Sequence, residues 1–292
     1  MLPNQLNFCI SLLINLPVTI FMTLSNGEQK IFIWIDFSPE SEVTILHGIQ
    51  AAEILDKEVC LLYHLVSEEM KEEEVRTGLA ALAAPISQIL GAGRVHCHTT
   101  PLPLSSILTE LAEEYDALLL VAHKKSSREL LPQLSHSGFP FLFVSSAEAP
   151  ANSYQKIAVP IGYMKKSKDL ALWSSYFARH NGARVSLILS TDHFEEDKRR
   201  VLSILLSIER LFRNFTFPYV TIETHTPTWK IQRKALEEAL GFQQGLLVIS
   251  FTYRSTFLDR IFGINDSYVI DHSESLSVMC INSQRDLYTL CG

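Results

Sequence analysis

The sequence holds no CxxC pair, no excess of positive charge, no charged side chain before Glu28 and none of the short motifs that announce catalysis. Each absence narrows function. Five cysteines (Cys9, Cys60, Cys97, Cys280, Cys291) fall at irregular spacings, which is neither a disulfide framework nor a zinc pattern. Scattered thiols in a chain of 292 residues point to a reducing compartment, here taken as the cytoplasm. A net charge of −7 argues against nucleic acid, because phosphate binding takes a clustered basic face. Lys165-Lys166-Ser167-Lys168 and Lys198-Arg199-Arg200 are short basic stretches and read as solvated helix faces. GxSxG, HExxH and Walker sequences are missing, so the chain is not expected to be an enzyme.

Three weaker constellations are also set aside. His96-Cys97-His98 puts two imidazoles on one face of a strand, but a metal needs three or four ligands and no third is evident. No metal is therefore expected. Asp271-His272-Ser273-Glu274 has catalytic residue types, yet neighbours in sequence do not make a triad. Trp34, Trp173 and Trp229 are too dispersed for a base-stacking platform and are assigned to the core. Leu6–Leu24 is mostly apolar and close to the roughly 20 residues a membrane helix needs. Asn7, Asn15 and Pro17 interrupt it, no Lys or Arg flanks it, and a secretory n-region is missing. The preferred reading is translation from Met22; a membrane anchor is the alternative.

What the chain does contain is a repeat. Lys30–His64 and Lys156–Ser190 align without a gap at a spacing of 126 residues, with Lys30 on Lys156, Ile31 on Ile157, Ser41 on Ser167 and Val59 on Val185. A period this long marks a domain, not a solenoid unit. With 47% apolar and 20% charged residues, two soluble domains are expected. In the first copy, β-branched apolar runs predict strands at Ile31–Ile35, Val59–Val66, Arg94–Thr99, Ala117–Ala122 and Phe141–Ser145. Periodic segments between them predict helices at Val43–Leu55, Glu68–Leu90 and Leu104–Glu114, with Ser38 as N-cap and Pro39 opening the first. The second copy repeats the order, with strands at Ile157–Ile161, Val185–Leu189, Val220–Thr224, Leu246–Ser250 and Val278–Ile281. Its helices are predicted near Ser167–Asn181, Glu195–Asn214, Thr228–Leu240, Ser255–Phe262 and Ser267–His272. Alternating strands and helices imply parallel sheets covered on both faces.

The strand followed by IDFSPES, a helix and VCLLYHLV resembles the opening of a universal stress protein domain. YDALLLVAHKKS and GLLVISFTYRS resemble the fourth-strand region of the same family. The resemblance implies an α/β fold of two tandem Rossmann-like (adenine nucleotide alpha hydrolase-like) domains, each a five-stranded parallel sheet flanked by helices. The expected division is an apolar segment 1–29, a first domain 30–146, a linker 147–154, a second domain 155–283 and a tail 284–292. Because family members pair through the fifth strand, Phe141–Ser145 and Val278–Ile281 are expected to meet as an intramolecular pseudo-dimer.

The resemblance also implies where a nucleotide would sit: an acid after the first strand and a G-x2-G-x9-G-[ST] segment after the fourth. Glycines admit the anion and N–H groups hold it. Both copies break this pattern. The first keeps Asp36 and, at the end of its second strand, Val66, but its loop positions are Ala122 and Lys125, with Lys124 alongside. In the second, Gly162 replaces the acid, and the loop positions are Ser250, Tyr253 and Gly263, followed by Ile264. The connection after the fourth strand is shorter in the first copy, and loss of its helix is expected. The resulting expectation is a non-enzymatic, cytoplasmic binding or scaffolding module of stress response, with degenerate nucleotide sites and no resident cofactor. The alternatives are ATP or another adenine ligand held by the first copy, and the soluble regulatory part of a cation–proton antiporter. Protein partners, homo-oligomers among them, are expected in place of nucleic acid or membrane.

Overall fold

A computed structural model describes residues 29–65, 70–145, 154–164, 166–191, 195–242, 245–251 and 266–282. The apolar N-terminal segment, Val66, the connecting residues 146–153, the expected helix Ser255–Phe262 with Tyr253, Gly263 and Ile264, and the tail lie outside them.

Ten strands form one sheet. They are β1 Lys30–Ile35, β2 Glu58–His64, β3 Val95–Thr100, β4 Ala117–His123, β5 Phe141–Val144, β6 Lys156–Ile161, β7 Arg184–Ser190, β8 Tyr219–Thr224, β9 Leu246–Ser250 and β10 Ser277–Ile281. The helices are α1 Glu40–Leu55, α2 Glu72–Leu90, α3 Leu104–Glu113, α4 Ser167–Asn181, α5 Glu195–Phe212, α6 Ile231–Ala239 and α7 Asp266–Asp271. Between β4 and β5 the chain makes a series of single helical turns, Lys124–Ser137. The shorter first connection has therefore kept helical backbone, contrary to expectation, but in pieces. The α1 start also differs. Ser38 does not cap with its side chain; Pro39 occupies the cap position, and the Ser38 hydroxyl is turned to Asp36.

The strand order is β3-β2-β1-β4-β5-β10-β9-β6-β7-β8, so each half of the sheet has the same order read outward from the middle. All pairings are parallel except one, β5 with β10. Within each half, β1 and β6 are apolar on both faces, as central parallel strands must be. One face is covered by α1, α2, α4 and α5, through residues such as Ile45, Leu79, Trp173 and Ile208. The other is covered by α3, the helical turns, α6 and α7, through Leu108, Leu134, Leu236 and Ile270. Trp34 and Trp173 are core residues as expected. Trp229 is not: it is 45% exposed, with the Lys230 ammonium over its ring.

The two segments expected to meet are hydrogen-bonded neighbours, with Phe143 opposite Val278, Leu142 opposite Met279 and Phe141 opposite Cys280. This antiparallel step reverses strand direction, so the carboxyl ends of the two halves lie on opposite edges of the sheet. On one face the seam is closed by α1 packing on α4, where the His47 Nδ1 and the Tyr154 hydroxyl are 2.5 Å apart and Tyr154 meets Phe177 edge-on. On the other, buried Asn282 donates to the Leu134 carbonyl at 2.8 Å.

His47 gives the seam a pH dependence. Burial holds its imidazole neutral, with the pKa lowered from 6.5 to about 4. The unfolded chain then binds the extra proton first, so this stabilisation is complete above pH 6.5 and is lost as pH falls towards 4. At about 1.4 kcal/mol per pH unit the loss is roughly 3 kcal/mol. Urea titrations between pH 7 and pH 4 should show a steeper loss for the native chain than for His47→Leu. Parallel curves would remove His47 as the cause.

Candidate functional site

In an open α/β sheet, ligands bind beyond the carboxyl ends of two adjacent strands whose following helices leave to opposite faces. In the first half these strands are β1 and β4. The chain after β1 turns into α1 on one face, and the chain after β4 turns into Lys124–Ser137 on the other. In the second half the same crevice lies between β6 and β9.

Asp36 stands at the first crevice, exposed, at the end of β1. Its Oδ1 accepts from the Ser38 N–H at 2.9 Å, the Ser38 hydroxyl at 2.6 Å and the Ser41 hydroxyl at 2.8 Å. Partial burial raises its pKa, but these donors together outweigh burial and leave it below the usual value. The carboxylate thus organises the entry to α1. Phe37, next in the chain, sits at φ 56°, a left-handed conformation that disfavours a large side chain. Its ring rests on Tyr63, 5.1 Å away, and a Cβ on Gly78 would come within 2.9 Å of it. Packing against a glycine on α2 is what holds the strained residue.

Across the crevice, Ala122 is fully buried inside β4 and packs in the core. The Lys125 N–H, at the second loop position, donates to the His123 Nδ1 at 3.3 Å. The Lys125 ammonium reaches over to the Glu40 carboxylate on α1, and that hydrogen bond leads the lowering of the Glu40 pKa. Lys124 points elsewhere: its Nζ donates to the Glu274 carbonyl, across the seam, at 2.9 Å. Burial lowers its pKa to about 8, against the attraction of Glu274. The structure therefore brings Asp36 and Lys125 to one crevice and sends Lys124 to the seam. At the end of β2, the His64 Nε2 meets the Leu102 carbonyl at 2.8 Å, while its Nδ1 is buried without a partner among the described residues.

The second crevice is filled from within. Gly162 replaces the acid, and a Cβ there would come within 2.4 Å of the Thr228 Cγ2. Ser167 closes on the Gly162 backbone, accepting its N–H and donating to its carbonyl at 3.2 Å each. The Ser250 N–H, the first loop position, donates to the Gln232 Oε1 at 3.0 Å. Lys166, read from sequence as solvated, extends to the Phe251 carbonyl at 3.5 Å. Tyr253 and Gly263 lie outside the described residues. His123, Thr228 and Gln232 carried no sequence signal, because each acts on a residue that only the topology brings near. His96, meanwhile, is bound to Glu58 at 2.9 Å and His98 packs on Tyr115. No group of three metal-ligating side chains occurs among the described residues.

The fold is that of universal stress proteins. A universal stress protein from Archaeoglobus fulgidus superposes with a TM-score of 0.56 at 12% identity, over 87% of this chain and 96% of the other. A putative universal stress protein from Pseudomonas aeruginosa UCBPP-PA14 gives 0.58 at 15%, over 87% and 93%. A functionally unknown protein from Pseudomonas aeruginosa PAO1 gives 0.57 at 16%, over 87% and 92%. No protein-family model matches the chain, and no curated protein matches it. No helix among the described residues is long and apolar enough to cross a membrane.

The fit of Thr228 against Gly162 is testable. Restoring the acid with Gly162→Asp should cost about 1–3 kcal/mol through overpacking, measured by chemical denaturation. Adding Thr228→Gly should recover most of the loss. Full stability in the single variant would show that the crevice is open.

Proposed function

We propose that this protein is a non-enzymatic binding or scaffolding module with the universal stress protein fold, working without a bound nucleotide triphosphate. The observation that carries this reading is that backbone donors at both would-be phosphate cradles are already used. The Lys125 N–H goes to His123, and the Ser250 N–H goes to Gln232. In either crevice a phosphate would have to displace that contact and find the glycine backbone that positions 122 and 125 in the first, or 250 in the second, do not supply. Charge-assisted hydrogen bonds contribute roughly 1.5–3 kcal/mol each. Losing two at one crevice would bring a micromolar site, about −8 kcal/mol, into or beyond the millimolar range. The stress-response context comes from the names of the structural neighbours, and a cytoplasmic location from the scattered thiols.

A second reading has one observation of its own. The exposed Asp36 carboxylate, kept charged by its Ser38 and Ser41 donors at the carboxyl edge of the first half, would accept a hydrogen bond from an adenine-like ring without any phosphate cradle. Calorimetric titration with ATP and with adenosine, beside native mass spectrometry of freshly purified protein, separates the two. The expected result is no stoichiometric heat from ATP at sub-millimolar concentration. Micromolar ATP binding abolished by Asp36→Ala, with the circular dichroism spectrum unchanged, would overturn the proposal. Adenosine binding alone would establish the second reading.

A further inference from the structure

The two outer strands of the sheet are treated very differently. β3 is largely buried, beneath α2. β8 is exposed at Val220, Thr221 and Glu223, because α5 packs over β6 and β7 and reaches the last strand where Phe212 meets Tyr219. The β8 segment YVTIET is rich in β-branched residues and holds neither lysine nor proline, so Glu223 is the one charge within it that blunts an open edge. Its free hydrogen-bonding positions can be assigned. The Val185 N–H bonds the Pro218 carbonyl and the Thr191 N–H bonds the Thr224 carbonyl. In a parallel pair every other residue serves a given neighbour, so Thr221 and Glu223 turn their N–H and C=O groups outward.

The helix beside this edge carries a matching pattern. The right-handed crossover from β7 through α5 to β8 puts one flank of α5, about 95–175° around from its buried stripe, on the β8 side and its outer rim. That flank bears Glu195, Arg199, Leu202, Leu206 and Glu209, and the turn that continues it bears Arg213. Leu202 and Leu206 are 45% and 52% exposed. The set is self-complementary about Ile204: Glu195 mirrors Arg213, Arg199 mirrors Glu209, and Leu202 mirrors Leu206. Run antiparallel to itself, the helix sets acid against base at both ends and leucine against leucine between. Among the described residues none of those four charges has an ion pair within the chain.

We propose that β8 and the adjoining flank of α5 form a self-association surface, joining two copies of this chain edge to edge about a twofold axis perpendicular to the sheet. Such an axis keeps each face on its own side, so α5 meets α5. With Thr221 opposite its own copy, Val220 faces Ile222 and Tyr219 faces Glu223, and Glu223 does not meet itself. The chain already shows this geometry at its seam. There β5 and β10 pair antiparallel and α1 packs on α4 across them.

Sedimentation equilibrium of the full chain should give a species of twice 33.0 kDa that dissociates on dilution. Thr221→Pro removes an outward N–H and leaves the β7 ladder intact, and Leu206→Glu buries a charge in the contact. Each should weaken association about tenfold or more, with the circular dichroism spectrum unchanged. Arg199→Glu alone should also weaken it, and Arg199→Glu combined with Glu209→Arg should restore it. A chain that stays monomeric at the highest accessible concentration overturns the proposal. So does a dimer indifferent to all these changes, or one that forms only after residues 1–28 are removed, which would assign the edge to the chain's own N-terminal segment.

Discussion

The structure depends on one antiparallel step. Every strand in either half runs parallel to its neighbours, and each half would end in a naked edge were it not for β5 meeting β10. Their side chains show why the pairing cannot be dispensed with. Phe141, Leu142, Phe143, Val278, Met279 and Cys280 are all fully buried. They fill both faces of the sheet at its middle, Leu142 and Met279 on one side and the others opposite. Separating the halves would expose all six together with the backbone groups they cover. That is an edge of the kind that aggregates.

The step also decides where chemistry can occur. Because it reverses strand direction, the two switch-point crevices open on opposite edges of the sheet and cannot combine into one cleft. Instead, the carboxyl edge of the first half lies beside the amino edge of the second. Lys124 spans that boundary to the Glu274 carbonyl, and the Ser145 hydroxyl spans it to the Ser275 carbonyl. Glu274 is held at φ 46°, so the turn that receives the lysine is a shaped feature. A residue that sequence assigns to ligand binding serves the seam, and the first crevice is left with Lys125 as its nearby cation.

The strand and helix grammar was legible because it rests on local periodicity. Ile31–Ile35 and Val278–Ile281 are continuous apolar runs, and a continuous run of that length has few ways to be buried other than as an inner strand. The seam was legible through the family resemblance and the aromatic Phe141 and Phe143. Details that depend on three-dimensional neighbours were not. Whether Ser38 caps α1 depends on where the Asp36 carboxylate turns, and two donors from Ser38 settle it. The role of Lys166 follows from Phe251, 85 positions away. Thr228 and Gln232 begin the third connection of the second half, far in sequence from the Gly162 and Ser250 they occupy. No motif scan pairs them.

Joining the halves in one chain has a further physical consequence. In a symmetric pair of identical subunits, a substitution at the crest of the first strand appears twice, and both copies must tolerate it. Within one chain each crest is free of the other. The first keeps a carboxylate that organises its own loop through three hydrogen bonds. The second has Gly162 at the corresponding place, and Thr228 takes the space where a Cβ would stand. Each solution suits its own setting: an Asp at 162 would bring its Cβ within 2.4 Å of the Thr228 Cγ2, and a Gly at 36 would leave Ser38 and Ser41 without their acceptor. The two crevices differ in what occupies them, one ordered by charge and one filled by packing, while the seam between them is common to both halves.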